Sequence, residues 1–266
     1  MKYKNFTAWI LAIIVTLSLV VYQRMTGPTH PIKDKVIING ETFKYKLIRS
    51  YGGPDDAEIV INDPDNLIDG TITYKRYKSY DEWSTVPLRH QGGKLIASIP
   101  HQPPAGKVEY SITLTDGTNE YQLSEKPVII RFKGDVPAYI LIPHILLMFM
   151  AMLFSTRTGI EALLKGPRTL KYSIWTALLL TGGGLILGPI VQKFAFGAYW
   201  TGWPFGHDLT DNKTALAFIF WIIAIYKLSR NRENRKWALI AAVVMTLVYL
   251  IPHSVLGSEI DHTKTS

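Results

Sequence analysis

The sequence predicts an α-helical membrane protein, with about five transmembrane helices, into which an all-β sandwich domain is inserted. Three observations predict this class. Apolar residues make up 47% of the 266-residue chain and concentrate in long runs that are almost free of charge. Residues 33–133 instead have the mixed polar composition of a water-facing domain. Lys and Arg cluster in two short segments between the apolar runs, as they do in cytoplasmic loops.

The first apolar run, Ala8 to Tyr22, follows Lys2 and Lys4, as in a secretory signal. Such a segment is either cleaved or kept, and no small-x-small cleavage pattern follows it. We therefore expect residues 1–32 to be a retained signal anchor and linker.

Four further apolar runs lie within residues 134–266, the predicted transmembrane domain. A bilayer core of ~30 Å takes about 20 helical residues, which three of these runs supply. The third of the four is short unless Leu209 to Lys213 form its first turn. The runs are Val136 to Phe154, Tyr172 to Val191, Thr214 to Tyr226 and Trp237 to about Leu256.

The basic residues predict how these spans are oriented. Both basic segments should be cytoplasmic by the positive-inside rule. The amino terminus is then cytoplasmic, while residues 33–133, an outer loop at 192–213 and the carboxyl terminus are extracytoplasmic. We expect a bacterial inner (plasma) membrane protein in contact with the lipid bilayer. The basic segments are Arg157, Lys165, Arg168 and Lys171, and then Lys227, Arg230, Arg232, Arg235 and Lys236.

The net charge of +8 belongs to the membrane part. Between Pro31 and Asp135 there are fourteen Lys and Arg against fifteen Asp and Glu. The excess therefore reflects topology and gives no reason to expect nucleic acid as a partner. The chain has no cysteine, which excludes disulfides, thiolate metal sites and a cysteine nucleophile.

Residues 33–133 have the pattern of short strands joined by tight turns. Apolar and polar residues alternate along residues 107–116, as one buried and one solvated face require. About one hundred residues with some seven strands resemble an immunoglobulin or fibronectin type III domain in architecture. That resemblance implies a binding domain more than a catalytic one. The predicted turns are Asn39-Gly40, Asp69-Gly70, Gly92-Gly93 and Asp116-Gly117.

Histidines are the candidate cofactor ligands. The tetrapeptide Leu-Ile-Pro-His occurs twice, ending at His144 and at His253, and the helical rise places both in the outer third of the bilayer. Two imidazoles on facing helices can bind a b-type haem, and together with His207 and a carboxylate they can hold zinc, copper or iron. The candidate carboxylates are Asp208, Asp211 and Glu259. The competing interpretation is that the histidines cap helix ends, bond backbone carbonyls or have a proton-linked role.

The outer loop contains the segment YWTGWPFGHDLTDNK, residues 199–213. Its glycines and proline indicate a tightly shaped, ordered turn. Asp208, Thr210 and Asp211 are candidate amino-terminal caps for the helix that follows. Three aromatic residues are typical of a belt at headgroup depth: Tyr199, Trp200 and Trp203.

Three function classes fit these features. The first is a non-enzymatic accessory or assembly subunit of a membrane complex, whose Ig-like domain binds another membrane or periplasmic protein. We rank it first because the chain has no hydrolase elbow, Walker loop or zinc-protease helix. The second is a haem- or metal-binding membrane redox protein that uses the outer-side histidines. The third is an enzyme on a lipid-linked substrate, with Asp208 or Asp211 and His207 as acid and base.

Overall fold

The computed structural model describes residues 2–252 and 257–264, with only the backbone described for residues 2–4. The chain divides into two compact units. The helical unit comprises Met1–Pro28, Val136–Phe194 and Ala198–Gly257. The β unit comprises Thr29–Asp135, Ala195–Gly197 and Ser258–Ser266.

Helices form at the five predicted apolar runs. Their bounds are α1 (Lys2–Thr26), α2 (Ala138–Leu163), α3 (Thr169–Leu180), a π-helical segment (Thr181–Leu187) that continues into α4 (Gly188–Phe196), α5 (Leu209–Arg230) and α6 (Arg235–Leu250). Four stretches in the described chain are long and apolar enough to cross a membrane: Asn5–Thr26, Ala138–Leu163, Thr169–Phe196 and Leu209–Arg230.

The sequence predicted the start of α5 correctly and the end of α6 incorrectly. Helix α5 starts at Leu209, so the expectation that Leu209 to Lys213 form its first turn is confirmed. Helix α6 has 16 residues and ends at Leu250, so its predicted continuation through Ile251 and Pro252 is wrong. Ile251 has extended backbone angles because a residue that precedes proline avoids the α conformation.

Small residues let the helices approach one another. Ala8, Ala12 and Thr16 recur every fourth position of α1 and are at most 5% exposed. Helix α1 packs on α2 and α6 through this narrow stripe. A side chain at Gly184 would place its Cβ 2.8 Å from Thr214 Cγ2, so α5 packs directly on the π-helical segment. These contacts make α1 an integral helix of the bundle.

The described residues of the β unit form eleven strands in three sheets. They are β1 (Ile32–Ile38), β2 (Glu41–Leu47), β3 (Ser50–Tyr51), β4 (Ala57–Asn62), β5 (Asp69–Arg76), β6 (Ser84–Pro87), β7 (Arg89–His90), β8 (Lys94–Ile99), β9 (Lys107–Thr115), β10 (Glu120–Gln122) and β11 (Val128–Phe132). Strands β1 and β2 form a hairpin, a second sheet has the order β3-β11-β9-β5-β6 with β10 beside β9, and a third has the order β4-β8-β7.

Three of the four predicted turns are confirmed. Asn39-Gly40 joins β1 to β2, with φ of 52° and 85°, the left-handed values that such a two-residue turn requires. Gly92-Gly93 lies between β7 and β8, and Asp116-Gly117 between β9 and β10. The turn predicted at Asp69-Gly70 is wrong because both residues belong to β5. A Cβ at Gly70 would lie 2.6 Å from the Thr113 carbonyl oxygen, so this glycine permits close strand approach.

The apolar core of the β unit joins all three sheets. Strand β9 shows the predicted alternation, since Val108, Tyr110, Ile112 and Leu114 are at most 1% exposed. The Tyr110 hydroxyl donates to the Ile48 carbonyl oxygen at 2.9 Å, which satisfies its buried polar end. Burial raises the pKa of Tyr110, so this phenol stays neutral.

Candidate functional site

The loop between α4 and α5 is folded around two acceptors in the first turn of α5. One carboxylate oxygen of Asp211 accepts the backbone N–H groups of Thr201 and Gly202, at 2.7 and 3.0 Å. The Asn212 side-chain oxygen accepts the N–H of Trp203 at 2.7 Å. Asp211 is 6% exposed, so water competes little for these bonds. The three bonds hold the middle of the loop against the start of the helix.

Asp208 caps this helix, as the sequence predicted. Its side chain accepts the N–H of Thr210 at 2.8 Å, and its own N–H donates to the Thr201 carbonyl oxygen at 3.0 Å. Thr210 and Asp211, the other two candidate caps, lie inside the first helical turn. The Asp208 carboxylate therefore caps the helix, while the Asp211 carboxylate shapes the loop.

Two of the three predicted aromatic residues, Tyr199 and Trp203, lie on the outside of this folded loop, while Trp200 is half-buried. Tyr199 is 60% exposed and Trp203 is 77% exposed, and they are joined by Phe205 at 82%. The Trp200 indole N–H donates to the Trp203 carbonyl oxygen at 3.1 Å, which adds a further brace to the backbone. Large apolar rings are thus presented outward by a loop whose interior is hydrogen-bonded.

His144 bonds the π-helical segment. Its Nδ1 lies 2.8 Å from the carbonyl oxygen of Gly183, one of the residues in that segment. A carbonyl oxygen can only accept, so Nδ1 carries the proton and Nε2 of the neutral ring is left with its lone pair. This is the tautomer that a metal or haem ligand needs, with the backbone carbonyl orienting the ring. Single π-helical turns are frequent at functional sites.

The other predicted ligands do not form a three-residue metal site with His144 within the described chain. His207 is exposed in the loop, and His253 lies outside the described residues. Across residues 2–252 and 257–264, no three His, Asp or Glu side chains are grouped so that they could hold a metal ion. The ligand set of His144, His207, His253 and Asp208 stays a prediction.

Arg157 is a buried charge that the sequence interpretation placed in a cytoplasmic loop. It lies in α2, is 1% exposed, and pairs with Glu161 at 2.8 Å, one helical turn away. Its guanidinium also donates to the Asn5 side-chain oxygen of α1 at 2.7 Å. The rings of Trp9 and Tyr172 lie 5.4 and 4.9 Å from the guanidinium carbon. The Arg-Glu spacing of four residues was the sequence signal for this pair.

Lys213 is a second buried cation that sequence reasoning missed. It is 6% exposed, and its ammonium donates to the Ile251 carbonyl oxygen at 2.6 Å. The bond joins the first turn of α5 to the residue just after α6. Ile251 has left the helix, so its carbonyl is free of the helical ladder and available to the lysine. A lysine in the first turn of a helix interacts unfavourably with the helix dipole. Its presence there was the sequence signal that the Lys213 side chain bonds another part of the chain.

The carboxyl-terminal tail is bound by a basic cluster of the β unit. Glu259 forms ion pairs with Lys78 and Lys107, whose ammonium groups lie 5.8 and 5.4 Å from the centre of the Tyr77 ring. Arg131 donates to the Ser258 carbonyl oxygen.

Backbone bonds extend this attachment along the tail. The N–H of Ile260 donates to the Ala105 carbonyl oxygen at 3.3 Å, and the N–H of His262 to that of Lys78 at 2.9 Å. Partial burial alone would raise the pKa of Glu259, but the hydrogen bonds and charges of Lys107 and Lys78 outweigh it and hold that pKa below its usual value. Glu259 is therefore ionised at neutral pH and fixes the tail electrostatically.

No known protein family, curated protein or solved structure matches this chain. The carboxylates of Asp208 and Asp211 accept backbone N–H groups at the start of α5 and in the loop before it, and exposed aromatic rings lie on the surface of that loop.

Proposed function

We propose that the chain is an integral inner-membrane protein whose extracytoplasmic β unit and outer loop bind a protein partner, as a non-enzymatic accessory or assembly subunit of a membrane complex. The observation that carries the proposal is the braced loop that presents Tyr199, Trp203 and Phe205. Exposed aromatic residues on a rigid backbone suit binding, because little conformational freedom is lost when they are buried by a partner.

The strand order supports an immunoglobulin-like sandwich for the β unit. Taking β4, β5, β7, β8, β9 and β11 as strands B, C, D, E, F and G gives the order B-E-D in one sheet and G-F-C in the other. Those are the neighbours that strands have in immunoglobulin domains. The parallel pairing of β3 with β11 fits a first strand that crosses to the second sheet. Domains of this architecture act mostly in recognition.

The chain leaves the β unit after Asp135 and rejoins it at two later segments, Ala195–Gly197 and Ser258–Ser266, which supports the proposed topology. The N–H of Gly134 donates to the Ala195 carbonyl oxygen at 3.0 Å, within the β unit. If the β unit lies on one side of the membrane, an even number of crossings separates these residues, and α2 with the α3–α4 helix supplies two. The tail at Ser258 belongs to the same unit, which supports a topology in which α5 and α6 both cross. In this proposal α6, at ~24 Å, is a crossing despite its length.

Reporter fusions test this topology. Reporters placed after Lys133 and at the carboxyl terminus should be active only outside the cytoplasm, and those after Gly166 and Asn234 only inside it. The two inside positions serve as the matched control for the two outside ones. Cytoplasmic activity at the carboxyl terminus would remove α6 from the set of spans.

The binding role is tested on the protein solubilised in a mild detergent. The native protein should run in an assembly larger than the detergent complex of a 30.0 kDa chain. Trp203→Ala with Phe205→Ala should release the chain from that assembly, whereas Tyr80→Ala, which removes an 84% exposed ring of the β unit, should not. A native chain that runs as a monomer would contradict an accessory role.

A haem- or metal-binding redox role is the second candidate. It is favoured by the hydrogen bond from His144 Nδ1 to the Gly183 carbonyl oxygen, which leaves Nε2 of the neutral ring with its lone pair. His144→Ala and His253→Ala should each abolish a bound chromophore or metal if these residues share one site. His207→Ala should weaken binding less, because water replaces a loop ligand more readily. A native preparation without haem bands or stoichiometric metal would end this candidate.

A further inference from the structure

The outer face of the β1–β2 hairpin carries four lysines in register. Lys33 is directly opposite Lys46, and Lys35 is directly opposite Lys44. All four side chains are exposed. On the opposite side of the hairpin, Ile38 and Phe43, at 2% and 4% exposure, enter the core and so fix which side faces outward. We name these four residues the lysine face.

Like charges at directly opposed positions destabilise a hairpin. Opposed residues lie about 5 Å apart and alternate residues about 7 Å apart, so the four ammonium groups crowd into one small area. Within residues 2–252 and 257–264, no side chain of the lysine face forms a salt bridge. The repulsion is therefore not neutralised inside the described chain.

A groove accompanies the lysine face. Its volume is about 500 Å³, and its only carboxylate among the described residues is Asp34, which leaves the lining with a net charge of +3. Ile37, on the lysine side of β1, is 60% exposed. Positive charge interleaved with exposed apolar surface is the composition of segments that lie at a membrane interface. The groove is lined by Lys33, Asp34, Lys35, Lys44, Tyr45, Lys46 and Val60.

We propose that the lysine face binds the anionic phospholipid headgroups of the bilayer that α1 crosses. This inference rests on the proposed membrane topology. Only residues 27–31 join α1 to β1, and five residues reach at most about 18 Å. A surface of many phosphodiesters complements four clustered ammonium groups better than a single phosphate does. Each lysine held near such a surface strengthens the attachment about fivefold.

The full chain reconstituted in lipid nanodiscs tests the inference. Lysine acylation rates would be measured by mass spectrometry in phosphatidylcholine discs and in discs that also contain phosphatidylglycerol. In the anionic discs the lysine face should react about fivefold more slowly, and about 1 M salt should restore the rate, since it shortens the screening length to about 3 Å. Lys94 and Lys126, exposed elsewhere on the β unit, should react equally in both discs.

A double variant makes the test specific. Lys35→Gln with Lys44→Gln should abolish the protection of Lys33 and Lys46, whereas Lys94→Gln with Lys126→Gln should preserve it. Equal rates for the lysine face in both discs would overturn the proposal. So would protection by soluble polyphosphate in neutral discs without protection by phosphatidylglycerol, which would identify a soluble polyanion as the ligand. A chain that does not enter discs at all would instead refute the membrane topology, and the lipid assignment with it.

Discussion

Replacing Glu259 by Gln should release the carboxyl-terminal tail from the β unit. The substitution keeps the size of the side chain and removes the charge that Lys78 and Lys107 bind. The backbone bonds of Ile260 and His262 remain geometrically possible. The variant therefore isolates the electrostatic part of the attachment.

The expected loss follows from how exposed the two ion pairs are. A hydrogen bond to a charged group contributes about 1.5–3 kcal/mol when it is shielded from water, and an exposed ion pair about 0.2–1 kcal/mol. The Glu259 and Lys107 side chains are 23% and 15% exposed, so this pair lies between those limits. Lys78 is 42% exposed, and solvent screening leaves it a minor contribution. We expect a total of about 1–2 kcal/mol, or about a five- to thirtyfold change in tail release.

Hydrogen exchange at the amides of Ile260 and His262 measures this release directly. Both should exchange about five- to thirtyfold faster in Glu259→Gln, while amides of β9 keep their protection. Glu120→Gln, at an exposed position of β10, is the matched control and should leave the tail unchanged. Unchanged exchange in Glu259→Gln would refute the electrostatic attachment.

Acid should have the same effect on the native chain. The pKa of Glu259 is lower when the tail is bound, so its contribution is complete above the ordinary value of 4.5 and is lost as the pH falls through the depressed value. After correction for intrinsic exchange rates, tail protection should fall below pH 4.5 in the native chain. Glu259→Gln should lack this step.

Three further predictions concern other contacts. Asp211→Ala leaves two backbone N–H groups without their acceptor, so loop stability should fall by about 1–3 kcal/mol and chymotrypsin should cleave the loop faster. Arg157→Leu leaves Glu161 buried without its partner and should cost about 3–5 kcal/mol in thermal unfolding in detergent, with a smaller loss when Glu161→Leu accompanies it. The N–H groups of Asn119 and Thr118 hold the pKa of Asp116 at about 2, so the β unit should lose stability as the pH falls from about 4 to 2, and Asp116→Asn should lack that step in urea unfolding.

The sequence predicted helices, strands and turns correctly where a local pattern of residues has a single physical explanation. The alternation along β9 reports a strand with one buried face, and Asp208 before an apolar run reports a helix cap. The Asn39-Gly40 pair predicts a hairpin turn because both residues tolerate positive φ. Asp69-Gly70 has the same composition but lies in β5, where Gly70 is needed for contact with the neighbouring strand.

The site was harder to predict because its contacts join distant parts of the chain. Asp211 was correctly placed near the start of α5, but its role as acceptor for Thr201 and Gly202 depends on how the loop folds back. The attachment of Glu259 to Lys78 spans 181 residues, and neither residue has a local pattern that indicates the other. Long-range polar pairs of this kind have no periodicity, so hydrophobic patterning cannot reveal them.

The proposed orientation of the membrane spans does not depend on Arg157, although the sequence analysis assigned this residue to a cytoplasmic segment. The residue lies inside α2, where it is buried and paired with Glu161, and so is not part of the basic segment that follows the helix. Lys165, Arg168 and Lys171 are exposed and keep the segment after α2 basic without it. The return of the tail to the β unit constrains the number of crossings through covalent connectivity alone. In the proposed topology, the basic segments determine the direction of the chain and the return of the tail determines whether the number of crossings is even, so reporter fusions can refute either one independently.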